Sequence, residues 1–199
     1  SDNYRKDIVD RYNRGELTSE DKIHFPDSLK FYTKNLHRAV YGGGGIMPDV
    51  FVPLDTNRMT SYQRKLMNMG VFNKYVTEYS DRHRAELDSK YVKAKKGGFS
   101  AFDADFKFTD ADLKEVADAG ATAGVAFDST AFEDSKERMG YYLKMLLARN
   151  LWDTNEFFKL WVRKDPTYLK AIELMEDKVE YDRYLHLSRE MEDAKADKK

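Results

Sequence analysis

The chain has 199 residues, a net charge of −1 and no cysteine, with 35% charged and 41% hydrophobic residues. That is enough apolar material for one medium domain, or one domain and part of another. The balanced charge leaves no electrostatic footprint for nucleic acid, the missing cysteines exclude disulfides and thiolate zinc sites, and no run approaches the roughly 18 apolar residues of a membrane span. A signal sequence is not visible. Because the chain opens on Ser1 rather than Met, its natural N-terminus is expected upstream.

Composition changes near Asp55–Arg58. Pro26, Pro48, Pro53 and a run of four glycines precede that point, and only Pro166 follows it. Tyr4, Ile8, Val9 and Tyr12 share one face of a predicted helix, with Gly15 as its stop. Leu29–Thr33 and Ala39–Tyr41 read as strands, connected by Lys34–Arg38. Ile46–Leu54 reads as a third, which Pro48 and Pro53 confine to an edge or to strand ends. Two or three strands without helix cover are marginal in water, so residues 1–57 need a partner.

From Thr60 the pattern turns helical. Thr60-Ser61-Tyr62-Gln63 reads as a capping box. Leu66, Met69, Val76, Tyr79, His83 and Leu87 then form one amphipathic stripe. Lys95–Gly98 breaks it, and Phe99, Phe102, Phe106 and Phe108 read as an aromatic-rich loop. Thr109–Asp112 starts a helix with Leu113, Val116 and Ala117 inward, ending near Gly120 or Gly124. Thr130-Ala131-Phe132-Glu133 reads as a second capping box, before a helix with Met139, Tyr142, Leu143, Leu146 and Leu147 on one face. Asp153 caps a helix carrying Phe157, Phe158, Trp161 and Val162. Asp165-Pro166 is an N-cap followed by proline at the first helical position, with Leu169, Ile172 and Met175 as the buried face. Residues 190–199 are charged and expected to be disordered. The fold class that follows is α+β and mostly helical: a few strands in 1–57, then a helical bundle over 58–199.

No chemical motif completes itself. A phosphate-binding loop needs Gly-Lys-Ser/Thr after its glycines, but Ile46-Met47-Pro48 follows here, so a tight turn is the better reading. Ser61 and Lys65 stand one helical turn apart, the residue types of a Ser/Lys dyad. Ser61 falls in a capping box, however, and Lys65 beside Arg64 reads as a solvated face. His24, His37, His83 and His186 hold no metal-ligand spacing, and Asp81 and His83 point to different helix faces. A calcium loop needs alternating oxygen ligands, a central Gly and a terminal Glu. Asp103-Ala104-Asp105 lacks the Gly, and Phe106 and Phe108 interrupt the pattern. Helix capping explains most of the acidic clusters Asp103–Asp105, Asp110–Asp112 and Asp128–Asp134. Tyr141-Tyr142 and Phe157-Phe158 suggest a peptide or sugar platform, although aromatics at helical spacing are more often core. No catalytic, cofactor-binding or metal residue and no cofactor is therefore assigned.

One run does carry a resemblance. Val40, Gly44, Gly45, Ile46, Pro48, Asp49, Val50 and Val52 fit a turn and strand of the form G-x-G-I-x-P-D-x-x-V. Before them, Phe31-Tyr32-Thr33 and Arg38-Ala39-Val40-Tyr41 fit a strand, a turn and an arginine, although Leu36-His37 stands where a Gly is usual. Residues 25–55 thereby resemble the S41 family of serine peptidases, the carboxy-terminal processing proteases, at an element late in the protease core. The upstream segment and the whole helical part, including the run Leu147-Ala148-Arg149-Asn150-Leu151-Trp152-Asp153 followed by aromatics, are similar to the tails of long processing proteases from Bacteroidetes-type bacteria.

The resemblance implies a parent serine endopeptidase of the bacterial cell envelope, periplasmic or extracytoplasmic, that trims or degrades proteins. Its catalytic Ser and Lys would lie upstream of Ser1, and no PDZ domain is recognisable here. Residues 1–57 would be the end of the protease core, and 58–199 a non-catalytic helical domain that packs on the core, controls substrate access or mediates self-association. Its partners would be the remainder of its own protease chain and polypeptide substrates. The alternative is a helical protein- or peptide-binding module with no link to catalysis.

Overall fold

The computed structural model describes residues 2–23, 27–34, 39–42, 48–55, 59–93 and 98–184. It is mostly helical, with one two-stranded sheet among the described residues. The chain divides into two compact units, Asn57–Asp165 and the pair of segments Ser1–Thr56 and Pro166–Lys199. The last segment of the expected 58–199 helical domain thus groups with the first fifty-six residues of the chain.

In the two-segment unit, helix α1 (Asp2–Asn13) ends before Gly15, whose φ of +78° suits a residue without Cβ. Glu16 N–H then reaches back to Arg11 O at 3.1 Å, closing the last turn. Strands β1 (Lys30–Tyr32) and β2 (Ala39–Tyr41) pair antiparallel, with Lys30 opposite Tyr41 and Tyr32 opposite Ala39. Gly42 N–H extends the pairing to Leu29 O at 2.8 Å. The expected third strand does not form over 48–55. Prolines 48 and 53 donate no ladder bond, and the segment is held instead by Leu54 N–H donating to Leu17 O at 2.8 Å. The rest of that strand, residues 46–47, and the glycine run 43–45 lie outside the described residues. Helix α9 (Pro166–Glu176) begins on its proline, and helix resumes over 178–184. Its expected buried face is not buried: Leu169 is 50% and Met175 68% exposed.

The unit 57–165 is built around α7 (Ser129–Leu151), against which α2 (Ser61–Asn68), α3 (Val71–Arg82), α6 (Asp110–Thr122) and α8 (Thr154–Trp161) pack. Leu143 to Ala148 are six consecutive buried residues of α7. A helix apolar on all sides is one surrounded by others. The stripe expected to run unbroken from Leu66 to Leu87 is divided. Gly70, at φ +71°, turns the chain between α2 and α3, and Met69 is exposed at that corner. After α3 come the short helix α4 (Arg84–Leu87) and a π-helical turn over Asp88–Val92.

The phenylalanines expected in a loop are partly helical and largely core. Helix α5 (Gly98–Asp105) carries Phe102, fully buried and stacked on Phe106 with ring centroids 4.9 Å apart. Tyr91 and Trp152 meet the Phe102 ring edge-on at 5.4 and 5.3 Å. Such pairs add about 0.5–1.5 kcal/mol each beyond the area they bury. The helix starts follow cap chemistry with one shift. Thr109 and Asp112 form a reciprocal box, Thr109 N–H to Asp112 Oδ2 at 2.7 Å and Asp112 N–H to Thr109 Oγ1 at 3.2 Å. Thr60 Oγ1 accepts from Gln63 N–H at 3.1 Å, while the Gln63 side chain is buried. For α7 the cap is Asp128, not Thr130: its Oδ1 accepts from Ala131 N–H at 2.9 Å. A carboxylate two residues upstream wins over a threonine because it also meets the positive end of the helix.

Candidate functional site

Every histidine and hydroxyl singled out in the sequence can now be placed or set aside. Ser61 and Lys65 are both exposed on α2, a surface setting with water where a substrate cavity would be needed. His24, His37 and His186 lie outside the described residues. His83 is half-buried, its ring 4.3 Å from that of Tyr79 and Nδ1 3.7 Å from a Glu86 oxygen. Asp81 turns instead to Arg84, at 3.4 Å. No group of three or more His, Asp or Glu that could hold a metal occurs among the described residues.

The acidic clusters are spent on structure. Asp112 and Asp128 cap helices, and Asp110 pairs with Lys136 at 3.0 Å. Asp103 lies between two cations, Arg163 and Lys144. Lys144 is the residue that sequence reasoning missed. It sits on the core side of α7, buried, and its Nζ donates to the Asp103 main-chain oxygen at 2.6 Å. It therefore closes the C-terminal end of α5, where helix carbonyls lack partners and a cation is favoured. Burial holds its pKa below the usual lysine range, with the Asp103 carboxylate pulling the other way. A lone lysine inside the apolar run Leu143-Lys144-Met145-Leu146-Leu147-Ala148 was the available signal.

Four tyrosines, Tyr62, Tyr75, Tyr79 and Tyr141, are shifted upward, each mainly by burial. Tyr75 is raised by burial and by Asp112 and Glu115, the latter accepting from its hydroxyl at 3.3 Å. Tyr79 is pushed up to about 12 by burial and Asp112. Tyr75 and Tyr79 therefore stay protonated at neutral pH, Tyr75 buried in the core and Tyr79 packed against it. In the other unit, Glu16 is buried beneath Arg11 and Arg14, at 2.9 and 2.6 Å. Burial alone would raise its pKa, but the bonds from Arg14 and Arg11 bring it below the ordinary value. These groups lock local structure.

What remains is surface. In the two-segment unit, Phe51, Val52 and Pro53 face Pro166, Leu169, Lys170 and Glu173 across an open groove of about 410 Å³. Lys170 and Glu173 pair with each other at 2.7 Å, so the rim carries no free charge for a ligand from that pair. The first strand of the hairpin in the same unit is exposed on both faces: Phe31 is 55% and Tyr32 59% exposed, and neighbouring strand residues point to opposite sides, while Val40 and Tyr41 on the second strand are half-buried. In the unit 57–165, Phe157, Phe158 and Trp161 make a short aromatic ladder on α8, with ring centroids 5.4 and 6.1 Å apart. The inward anchor of that helix is Leu160, which no sequence signal distinguished from its aromatic neighbours. It is fully buried, and its carbonyl accepts from the Tyr141 hydroxyl at 2.7 Å.

Comparison with known proteins bears on the helical unit. Residues 62–153 match a family of unknown function (DUF8443), a stretch running from the second residue of α2 to the cap of α8. Neither a curated protein nor a solved structure matches the chain.

Proposed function

We propose that this chain is the non-catalytic C-terminal region of an S41-type serine endopeptidase of the bacterial cell envelope. Residues 1–57 contribute closing strands to the protease core, and the helical part packs on that core, where it controls substrate access or mediates self-association. The observation that carries the reading is the state of the hairpin. A two-stranded sheet with rings exposed on both faces is marginal by itself, and it coincides with the stretch that resembles the closing element of the protease core. Three or more strands, or a covering helix, would give it the apolar burial it lacks. The absence of a nucleophile–base pair among the described residues is compatible with catalysis upstream and supplies no independent argument for it.

The test is peptidase activity on an unfolded protein substrate, comparing this chain with the same chain extended upstream through the proposed core. The expected result is hydrolysis only by the extended form, blocked by a serine-directed reagent. Serine-reagent-sensitive hydrolysis by this chain alone would overturn the proposal and return attention to Ser61 and Lys65.

A second reading, a helical module that binds a protein or peptide with no link to catalysis, is favoured by the aromatic ladder on α8. Phe158 and Trp161 stay exposed beside a well-formed core, as an aromatic contact surface would require. Inactivity of both forms, together with a Trp161 fluorescence response to unfolded polypeptide that Phe158→Ala removes, would favour it.

A further inference from the structure

We draw no further inference here: the strongest candidate, the exposed aromatic pair Phe158 and Trp161 on α8, carries nothing beyond the reading already given, because nothing in the structure shows what covers it.

Discussion

The two units of this chain spend their apolar residues in opposite ways. In 57–165, Leu66, Val76, Phe102, Met139, Leu143, Leu146, Leu147 and Leu160 are sealed from solvent around α7. In the two-segment unit, Glu16 is the one buried side chain among the described residues, while Ile8, Val9, Phe31, Tyr32, Leu169, Met175 and Val179 are exposed. Burial of a large aliphatic or aromatic side chain contributes about 1.5–3 kcal/mol, so the first unit has the makings of an independent domain and the second does not. The lesson is that helical content is a poor guide to autonomy. Helix α9 is as regular as α6, yet only α6 has its inward face covered.

The contrast can be broken by substitution. Leu146→Ala, at the centre of α7, is expected to cost about 2–5 kcal/mol by lost burial and a residual cavity. Leu169→Ala on α9 is expected to stay within about 0.5 kcal/mol in this chain, as at other exposed positions. Denaturant unfolding followed by far-UV circular dichroism and by tryptophan fluorescence measures both. The two tryptophans, Trp152 and Trp161, both report on the helical unit. A large loss from Leu169→Ala would mean that the two-segment unit has a core of its own.

A smaller effect is expected at Gly120, inside α6. A Cβ there would run into Leu66 Cδ2, and Leu66 is fully buried. Overpacking costs about 1–3 kcal/mol, against a gain of up to about 1 kcal/mol in helix propensity for Gly120→Ala. The variant should therefore unfold at lower denaturant than the parent. An unchanged or higher midpoint would show that α2 and α6 are less closely packed than described.

The smallest expected effect is a pH dependence. Lys144 has its folded-state pKa below the ordinary 10.5. Between the lowered value and 10.5 the unfolded chain binds more protons than the folded one, so stability of the helical unit should rise with pH across that window. Lys144→Met should flatten this contribution, read from unfolding midpoints at a series of alkaline pH values. An identical slope in both proteins would place Lys144 in solvent.

Much of this architecture is legible in the residues themselves. Thr109 and Asp112 announce α6, Pro166 announces α9, and the spacing of Met139, Leu143, Leu146 and Leu147 gives the inward face of α7. What could not be read follows from physics that a pattern does not encode. Gly70 divides a stripe whose periodicity continues across it, because a left-handed residue can turn the chain without disturbing spacing. The phenylalanines of the 99–108 run pack on one another and on Trp152, a partner from another element that spacing along the chain does not name. Residues Leu169 and Met175 have core spacing without a core, because spacing reports a preference for burial and not the presence of a partner. The candidate surfaces were legible only as composition. With 14% aromatic residues, the sequence offers many rings but does not say that Phe158 and Trp161 face outward while Leu160 faces in.

On the proposed reading, the helical unit folds by itself while the hairpin lacks its covering surface. Native-state hydrogen exchange tests it most directly, because it reads opening free energies amide by amide. In this chain the amides of Val76 in α3 and Leu143 in α7 should exchange only through global opening of the helical unit. Those of Phe31 and Val40, which face each other in the hairpin, should exchange orders of magnitude faster and become protected when the chain is extended upstream through the proposed core. Equal protection of Phe31, Val40 and Leu143 in this chain alone would contradict the account.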